Sequence, residues 1–309
     1  MNFTRRDMLS SVRSLVPVAA LAAATAEPAK AEVAVKSAPL TALGLLYDAT
    51  KCIGCKSCEV ACVEANGDTP DTRSDGIHLA APDLNDRTRT VIKLYKASQG
   101  GKSSFIKRQC MHCFDPSCVS GCPFQALHKE AGTGLVAWDS TKCIGCRYCT
   151  IACPYGIPRF QWVGINPRVA KCELCRTRLA AGKQPGCTSV CPTGAVKFGR
   201  RAALLREAKQ RIRENPGRYY RDYVYGENEG GGTQVLYLAG VPFHDLGLPK
   251  MAEESVPSKY LKWQERVYEY MIAPAFLYVG LVEIIRRRFR PHAEELREEE
   301  HETGLRAQI

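Results

Sequence analysis

Apolar residues in this chain come in short bursts rather than long runs, and most bursts lie beside a cysteine loop or a glycine pair. Gly44–Tyr47, Leu135–Trp138 and Ala195–Phe198 read as short strands. Thr90–Lys96 and Ser103–Lys107 flank Gly100-Gly101 and predict a hairpin. Leu204, Leu205, Ala208 and Ile212 recur at helical spacing, so Ala202–Asn215 reads as an amphipathic helix with a core-facing stripe, ended by Pro216-Gly217. Asp68–Asp86, rich in Asp, Thr and Pro, reads as a surface insertion. Gly230-Gly231-Gly232 lacks the lysine and following helix of a phosphate loop, and reads as the opening of a strand over Thr233–Ala239 or as a docking loop. Strand, cysteine loop and short helix alternate, which predicts an α+β fold of ferredoxin type.

The two ends depart from this pattern. Thr4-Arg5-Arg6-Asp7-Met8-Leu9-Ser10 and the Ala/Val/Leu-rich stretch Leu15–Ala26 read as a twin-arginine signal peptide over residues 1–31, with small-x-small cleavage sites ending at Ala26 or Ala31. Near the other end Val267–Ile285 is largely apolar but interrupted by Glu269, Pro274 and Glu283. Its length is close to the ~20 residues a spanning helix needs. It predicts a C-terminal transmembrane helix over residues 266–286, with an interfacial helix docked on a membrane partner as the alternative. Arg286, Arg287, Arg288 and Arg290 would keep its far end in the cytoplasm, and residues 287–309 read as a charged cytoplasmic tail.

All sixteen cysteines fall into four runs of four. The runs are Cys52, Cys55, Cys58, Cys62; Cys110, Cys113, Cys118, Cys122; Cys143, Cys146, Cys149, Cys153; and Cys172, Cys175, Cys187, Cys191. In the first and third, a C-x-x-C-x-x-C-x-x-x-C spacing lets a tight loop present three thiolates to one cubane while the fourth ligates a neighbouring cluster. The second run widens one gap and the fourth inserts a longer stretch between Cys175 and Cys187, but both keep the closing x-x-x-C-Pro. Proline there ends the cluster loop and presets φ, as Cys122-Pro123, Cys153-Pro154 and Cys191-Pro192 illustrate; Cys62-Val63 departs. A disulfide framework has no reason to repeat this spacing, and zinc sites close with two pairs and need no third cysteine at the same step. Four 4Fe-4S clusters are the expected cofactors. Export by a twin-arginine signal, which carries folded proteins, suits clusters inserted beforehand.

The net charge of +11 counts every cysteine as neutral. Four oxidised clusters with their thiolates would bring about −8, so the basic excess reads as counter-charge rather than as a nucleic-acid surface. Lys51, Lys56, Lys142, Arg147, Lys171 and Arg176 sit in or beside the runs, where a positive side chain favours the reduced cluster. No Ser/His/Asp set, carboxylate pair or nucleotide fingerprint stands out. His112 and His128 read as loop residues, and no catalytic residue is assigned.

The chain resembles the four-cluster electron-transfer subunits of respiratory oxidoreductases, and among them the HybA-type iron-sulfur subunits of membrane-bound NiFe hydrogenases. Leu45-Leu46-Tyr47-Asp48, Cys110-Met111-His112-Cys113 with Asp115-Pro116, Cys143 through Pro154, Lys171 through Cys175, and Tyr225-Gly226-Glu227 running into Gly230 through Val235 carry the resemblance. It implies two ferredoxin-like 2x(4Fe-4S) lobes related by pseudo-symmetry, one from 44–67 with 166–250 and one inserted over 90–165. It further implies that Cys52, Cys55, Cys58 and Cys191 hold one cluster and Cys62, Cys172, Cys175 and Cys187 the next. Cys110, Cys113, Cys118 and Cys153 would hold a third, and Cys122, Cys143, Cys146 and Cys149 the fourth. Spacing alone says only that fourth cysteines cross over.

The function implied is an electron conduit on the periplasmic side of the inner membrane. Its partners would be the large and small subunits of a NiFe hydrogenase and an integral membrane quinone-interacting subunit. The alternative keeps the same clusters and changes the catalytic partner to a molybdopterin or tungstopterin enzyme such as formate dehydrogenase. A redox-silent zinc protein is the third class, and its lack of colour separates it.

Overall fold

The computed structural model describes residues 41–68, 83–95, 102–162 and 167–306; the expected signal peptide and most of the expected insertion lie outside them. The described elements are β1 (Leu43–Asp48), α1 (Ser57–Asn66), β2 (Val91–Tyr95), β3 (Ser104–Arg108), α2 (Ser117–Ser120), β4 (Leu127–Lys129), β5 (Val136–Trp138), α3 (Tyr148–Ala152), β6 (Arg159–Phe160), β7 (Val169–Ala170), α4 (Arg176–Ala180), α5 (Gly186–Ser189), β8 (Val196–Arg200), α6 (Arg201–Glu214), β9 (Val235–Leu238) and α7 (Val256–Arg306). The expected strands, hairpin and amphipathic helix are all present.

β1 is an unbroken apolar burst because it is covered on both sides. It lies at the centre of a three-stranded sheet, antiparallel to β8 (Leu45 opposite Phe198) and parallel to β9 (Leu45 opposite Val235). Successive side chains leave opposite faces. Leu46, Leu236 and Leu238 pack on Leu204, Ala208 and Ile212 of α6. Leu45, Tyr47, Val235 and Tyr237 enter the main core, which also contains Cys58, Cys110, Cys172 and Cys187. One face of the sheet therefore serves as the wall of the cysteine region.

The β2–β3 hairpin lies over that face and is fastened to it by two phenols. Tyr47 Oη donates to the Phe105 carbonyl at 2.9 Å, and Tyr237 Oη donates to the Lys107 carbonyl at 2.6 Å. A smaller core gathers Cys118, Leu127, Val136, Cys149, Phe160 and Val169 around the short β4–β5 and β6–β7 ladders.

Three features differ from the sequence reading. Asp68, expected to open a surface insertion, is buried and held by Arg89 at 2.7 Å and by Arg168. His128 lies in β4 rather than in a loop. The C-terminal helix starts at Val256, ahead of the apolar stretch, and continues to Arg306. Hydropathy marked only its apolar part; the charged turns on either side are helical as well, and Arg287 pairs with Glu283 at 3.1 Å along the helix. Pro257, at the second helical position, needs no backbone donor there. The part from Val256 to Arg288 is long and apolar enough to cross a membrane.

At the mouth of the first cysteine run, Asp48 is fully buried and accepts bonds from Arg211 Nη1 at 2.9 Å, Tyr219 Oη at 3.1 Å and Thr50 Oγ1 at 2.6 Å. Removing one partner of a buried ion pair strands the other charge. Arg211→Met is expected to destabilise the fold by about 3 kcal/mol, read as a lower thermal midpoint, with the largest loss of protection in amide hydrogen exchange along β1.

Candidate iron-sulfur centres

Every cysteine run opens just after a strand. Cys52 follows β1, Cys110 follows β3, Cys143 follows β5 and Cys172 follows β7. The later members sit on or beside short helices: Cys58 and Cys62 on α1, Cys118 on α2, Cys149 on α3 and Cys187 on α5.

The loops repeat one another in backbone conformation. Gly54 and Lys56 have φ of 73° and 58°, and Gly145 and Arg147, at the matching positions of the third run, have 72° and 66°. In the second and fourth runs His112 (48°) and Leu174 (53°) both lie two residues after the opening cysteine. A Cβ at Gly54 would lie 2.4 Å from the Phe105 ring, and one at Gly145 2.4 Å from Pro167, so space as well as φ demands glycine. Left-handed residues in tight turns rotate successive N–H groups toward one side, a concavity that suits an anion. The turn after each of two Cys-Pro pairs adds further donors. Burial raises Cys153, while the N–H groups of Ile157, Tyr155 and Gly156 work against it. At Cys191 burial is outweighed by the N–H groups of Val196, Thr193 and Ala195, and the thiol lies below its usual range.

None of the sixteen cysteines is in a disulfide. Electrostatics divides them into neighbourhoods. Cys52 feels Cys191 and Cys55, and Cys58 feels Cys52 and Cys191. Cys62 feels Cys172, Cys187 and Cys175; Cys113 feels Cys110, Cys153 and Cys118; Cys149 feels Cys143, Cys122 and Cys146. A pocket of about 330 Å³ is lined by Cys62, Cys172, Cys175 and Cys187, and one of about 340 Å³ by Cys122, Cys143, Cys146 and Cys149. Single electrostatic interactions between neighbourhoods give an order: Cys58 with Cys187, Cys172 with Cys110, and Cys118 with Cys149. Burial pushes Cys58 and Cys110 up to about 11 and Cys149 and Cys187 to about 12. Only Cys55, in the first neighbourhood, and Cys146, in the last, are exposed; Cys62, Cys172, Cys175 and Cys187 are all buried.

Polar groups around the thiols show what the pockets suit. Gln109 Nε2 in the first pocket, and Trp138 Nε1 and Arg147 Nε in the second, are buried donors without a partner. His112 is fully buried and kept neutral, first by burial and then by Lys171 and Lys129; its Nδ1 accepts the Val136 N–H at 3.0 Å.

Of the six basic residues beside the runs, Lys171 alone is buried to 1 %, bonded to the carbonyls of Val136 and Cys172. Lys56, Lys142 and Arg176 pair with Glu59, Asp139 and Glu130. Sequence reasoning missed Lys107, also 1 % exposed, whose ammonium bonds Thr90 Oγ1 and Gln109 Oε1. Burial opposes its charge, but Cys187, Cys58, Cys172 and Cys62, once ionised as ligands, outweigh burial and favour the protonated ammonium. Its one signal in the sequence is its place three residues ahead of Cys110.

Buried thiols in fours, inward N–H groups, unpartnered donors and internal cations fit anionic clusters. Among the described residues no three Cys, His, Asp or Glu side chains converge on a position for a single ion, whereas a cubane spreads its thiolates over separate irons. Fold and site together define an iron-sulfur protein of the 4Fe-4S dicluster, ferredoxin-like class. Two stretches, residues 51–126 and 102–201, match 4Fe-4S dicluster domain families. The chain is 38 % identical over 277 residues to the hydrogenase-2 operon protein HybA of Escherichia coli O157:H7, covering 79 % of this chain and 84 % of that protein. It is 38 % identical over 216 residues to the nitrate-inducible formate dehydrogenase iron-sulfur subunit of Escherichia coli K12, covering 66 % of this chain and 71 % of that subunit. The chain belongs to the HybA family of 4Fe-4S iron-sulfur subunits, to which these formate dehydrogenase subunits are related.

Exposure sets the order in which iron is lost. Under slow oxidative chelation, EPR of the purified protein is expected to lose first the signals of the neighbourhoods containing Cys55 and Cys146. The buried set of Cys62, Cys172, Cys175 and Cys187 should go last; loss of all signals in parallel would contradict this order.

Proposed function

We propose that this chain relays electrons between a periplasmic NiFe hydrogenase and a quinone-reactive membrane subunit through four 4Fe-4S clusters. Cys52, Cys55, Cys58 and Cys191 hold the first; Cys62, Cys172, Cys175 and Cys187 the second; Cys110, Cys113, Cys118 and Cys153 the third; Cys122, Cys143, Cys146 and Cys149 the fourth. Each cluster, when bound, supplies a reversible one-electron couple whose potential falls somewhere in the wide span of roughly −700 to +450 mV. The protein's part is to space the clusters, exclude water and set their potentials.

The observation that carries this reading is the row of thiol neighbourhoods, exposed only at its two ends. Electrons need to reach the surface at two places and nowhere between. Ile53 beside Cys55, and Ile144, Tyr148 and Trp162 beside Cys146 and Arg147, add exposed apolar surface of the kind partners cover. The matched left-handed residues of runs one and three, and of two and four, support two pseudo-symmetric lobes, 44–67 with 166–250 and the inserted 90–165.

α7 leaves the fold beside the third cysteine set, where Ser255 Oγ donates to Asp115 at 2.6 Å just ahead of Cys118. Tyr260, Trp263, Tyr268 and Tyr270 early in α7, and Arg286, Arg287 and Arg288 later, match the aromatic and positive anchors of a spanning helix with its C-terminal end in the cytoplasm. This supports a membrane-facing fourth cluster and a first cluster facing the catalytic subunit. The twin-arginine start agrees in topology. A formate dehydrogenase-type partner is the second reading, favoured by the relatedness to those subunits. The longer match to HybA ranks the hydrogenase first.

In the complex purified from solubilised membranes, nickel is expected without molybdenum or tungsten, together with hydrogen-dependent quinone reduction. Molybdenum or tungsten without nickel would move the chain to the second reading. Cys146→Ser should abolish quinone reduction and retain most hydrogen-dependent reduction of a soluble dye; equal loss of both activities would refute the assigned polarity.

A further inference from the structure

A lone cation in a protein interior carries a desolvation cost of several kcal/mol unless something nearby compensates it. Lys107 is such a cation. It projects from β3 into the core, and its hydrogen-bond partners are the uncharged oxygens of Thr90 and Gln109. Among the described residues no carboxylate lies within ion-pair distance of it; Glu59 feels its charge, but is held by the Ile92 N–H and Lys56. It lines the pocket formed by Cys62, Cys172, Cys175 and Cys187, and the phenol of Tyr237 fixes its backbone carbonyl at 2.6 Å. Gln109, which accepts from Lys107, leaves its own Nε2 unpartnered in the same pocket. A charge and a neutral donor are thus held together against one set of four thiols, with Cys58 of the adjoining set also close enough to interact.

We infer that Lys107, steadied by Gln109 and Thr90, is a fixed counter-cation that raises the reduction potentials of the first two clusters above the values they would have without it. Reduction adds one electron to an already anionic cluster, so a buried positive charge beside it stabilises the reduced form more than the oxidised one. The interaction falls with distance, so it is greatest at the two sets whose thiols lie nearest the ammonium. Lys171 is as deeply buried but lies among other thiols, acting on Cys110 and Cys118 of the third set as well as on Cys172, so it is a separate counter-charge that the Lys107 variants leave in place. The inference rests on the four-cluster reading and assigns to one side chain the upward setting of potential at the catalytic end of the relay.

The test uses the full membrane complex with wild-type chain, Lys107→Met and Lys107→Arg. Iron and sulfide per chain are measured first, then EPR at a series of poised potentials. Wild-type complex with clearly fewer than four cubanes would defeat the four-cluster reading itself. With four present, Lys107→Met is expected to move two of the four midpoints to more negative values and leave the other two in place, and Lys107→Arg to restore them. Full cluster content with no midpoint moved, or all four moved alike, overturns the inference. If the methionine variant loses iron, recovery of both iron and midpoints in the arginine variant supports a role of charge; equal iron loss in both variants assigns the residue to packing and overturns it.

Discussion

A thiol must lose its proton to bind iron, and burial opposes that loss. Nearly all the cysteines here are at least partly withdrawn from water, several fully, and their neighbours are other thiols. Left alone, such a core would keep its protons and repel metal. Much of the architecture can be understood as the answer to this. Tight left-handed turns present backbone N–H groups, the turns after Cys-Pro add more, and the two fully buried lysines bring positive charge inside. Bound iron completes the balance, because metal displaces the protons that burial would otherwise retain.

Holding these groups in place falls to a small amount of regular structure. The three-stranded sheet uses one face for α6 and the other for the cysteine region, so a change in strand register would exchange Leu46 and Tyr47 between the two. The hairpin, pinned by Tyr47 and Tyr237, closes the region from the other side. At the edge, Asp48 ties the mouth of the first loop to α6 through Arg211. Of these residues Tyr47 also meets Cys52, and each fixes where a loop begins.

Much of the local structure was legible in the sequence because its signals are local. A C-x-x-C loop must turn tightly, Leu204, Ala208 and Ile212 declare one helical stripe, and the burst at Leu45–Tyr47 declares a covered strand. What escaped depends on distant partners. Lys107 looks like any strand lysine until the fold sets thiols from two runs around it. Asp68 looks like solvent-facing insertion until Arg89 and Arg168 arrive from elsewhere in the chain. The expected bounds of α7 were too short because hydropathy measures what a helix touches, not whether the turns beside it are helical. Which thiols lie together is a property of long-range topology, and spacing limited it without deciding it.

The parallel pairing of β1 with β9 bears on how the molecule comes into being. β1 is among the first segments to emerge during synthesis, and its two sheet partners, β8 and β9, are among the last of the sheet to follow. The cysteines between Cys110 and Cys153, by contrast, lie within one continuous stretch that can close on itself early. Until β9 arrives, the nascent chain has a half-formed sheet and an open set of thiols near its beginning. The topology therefore lets the middle of the chain close before its two ends can meet.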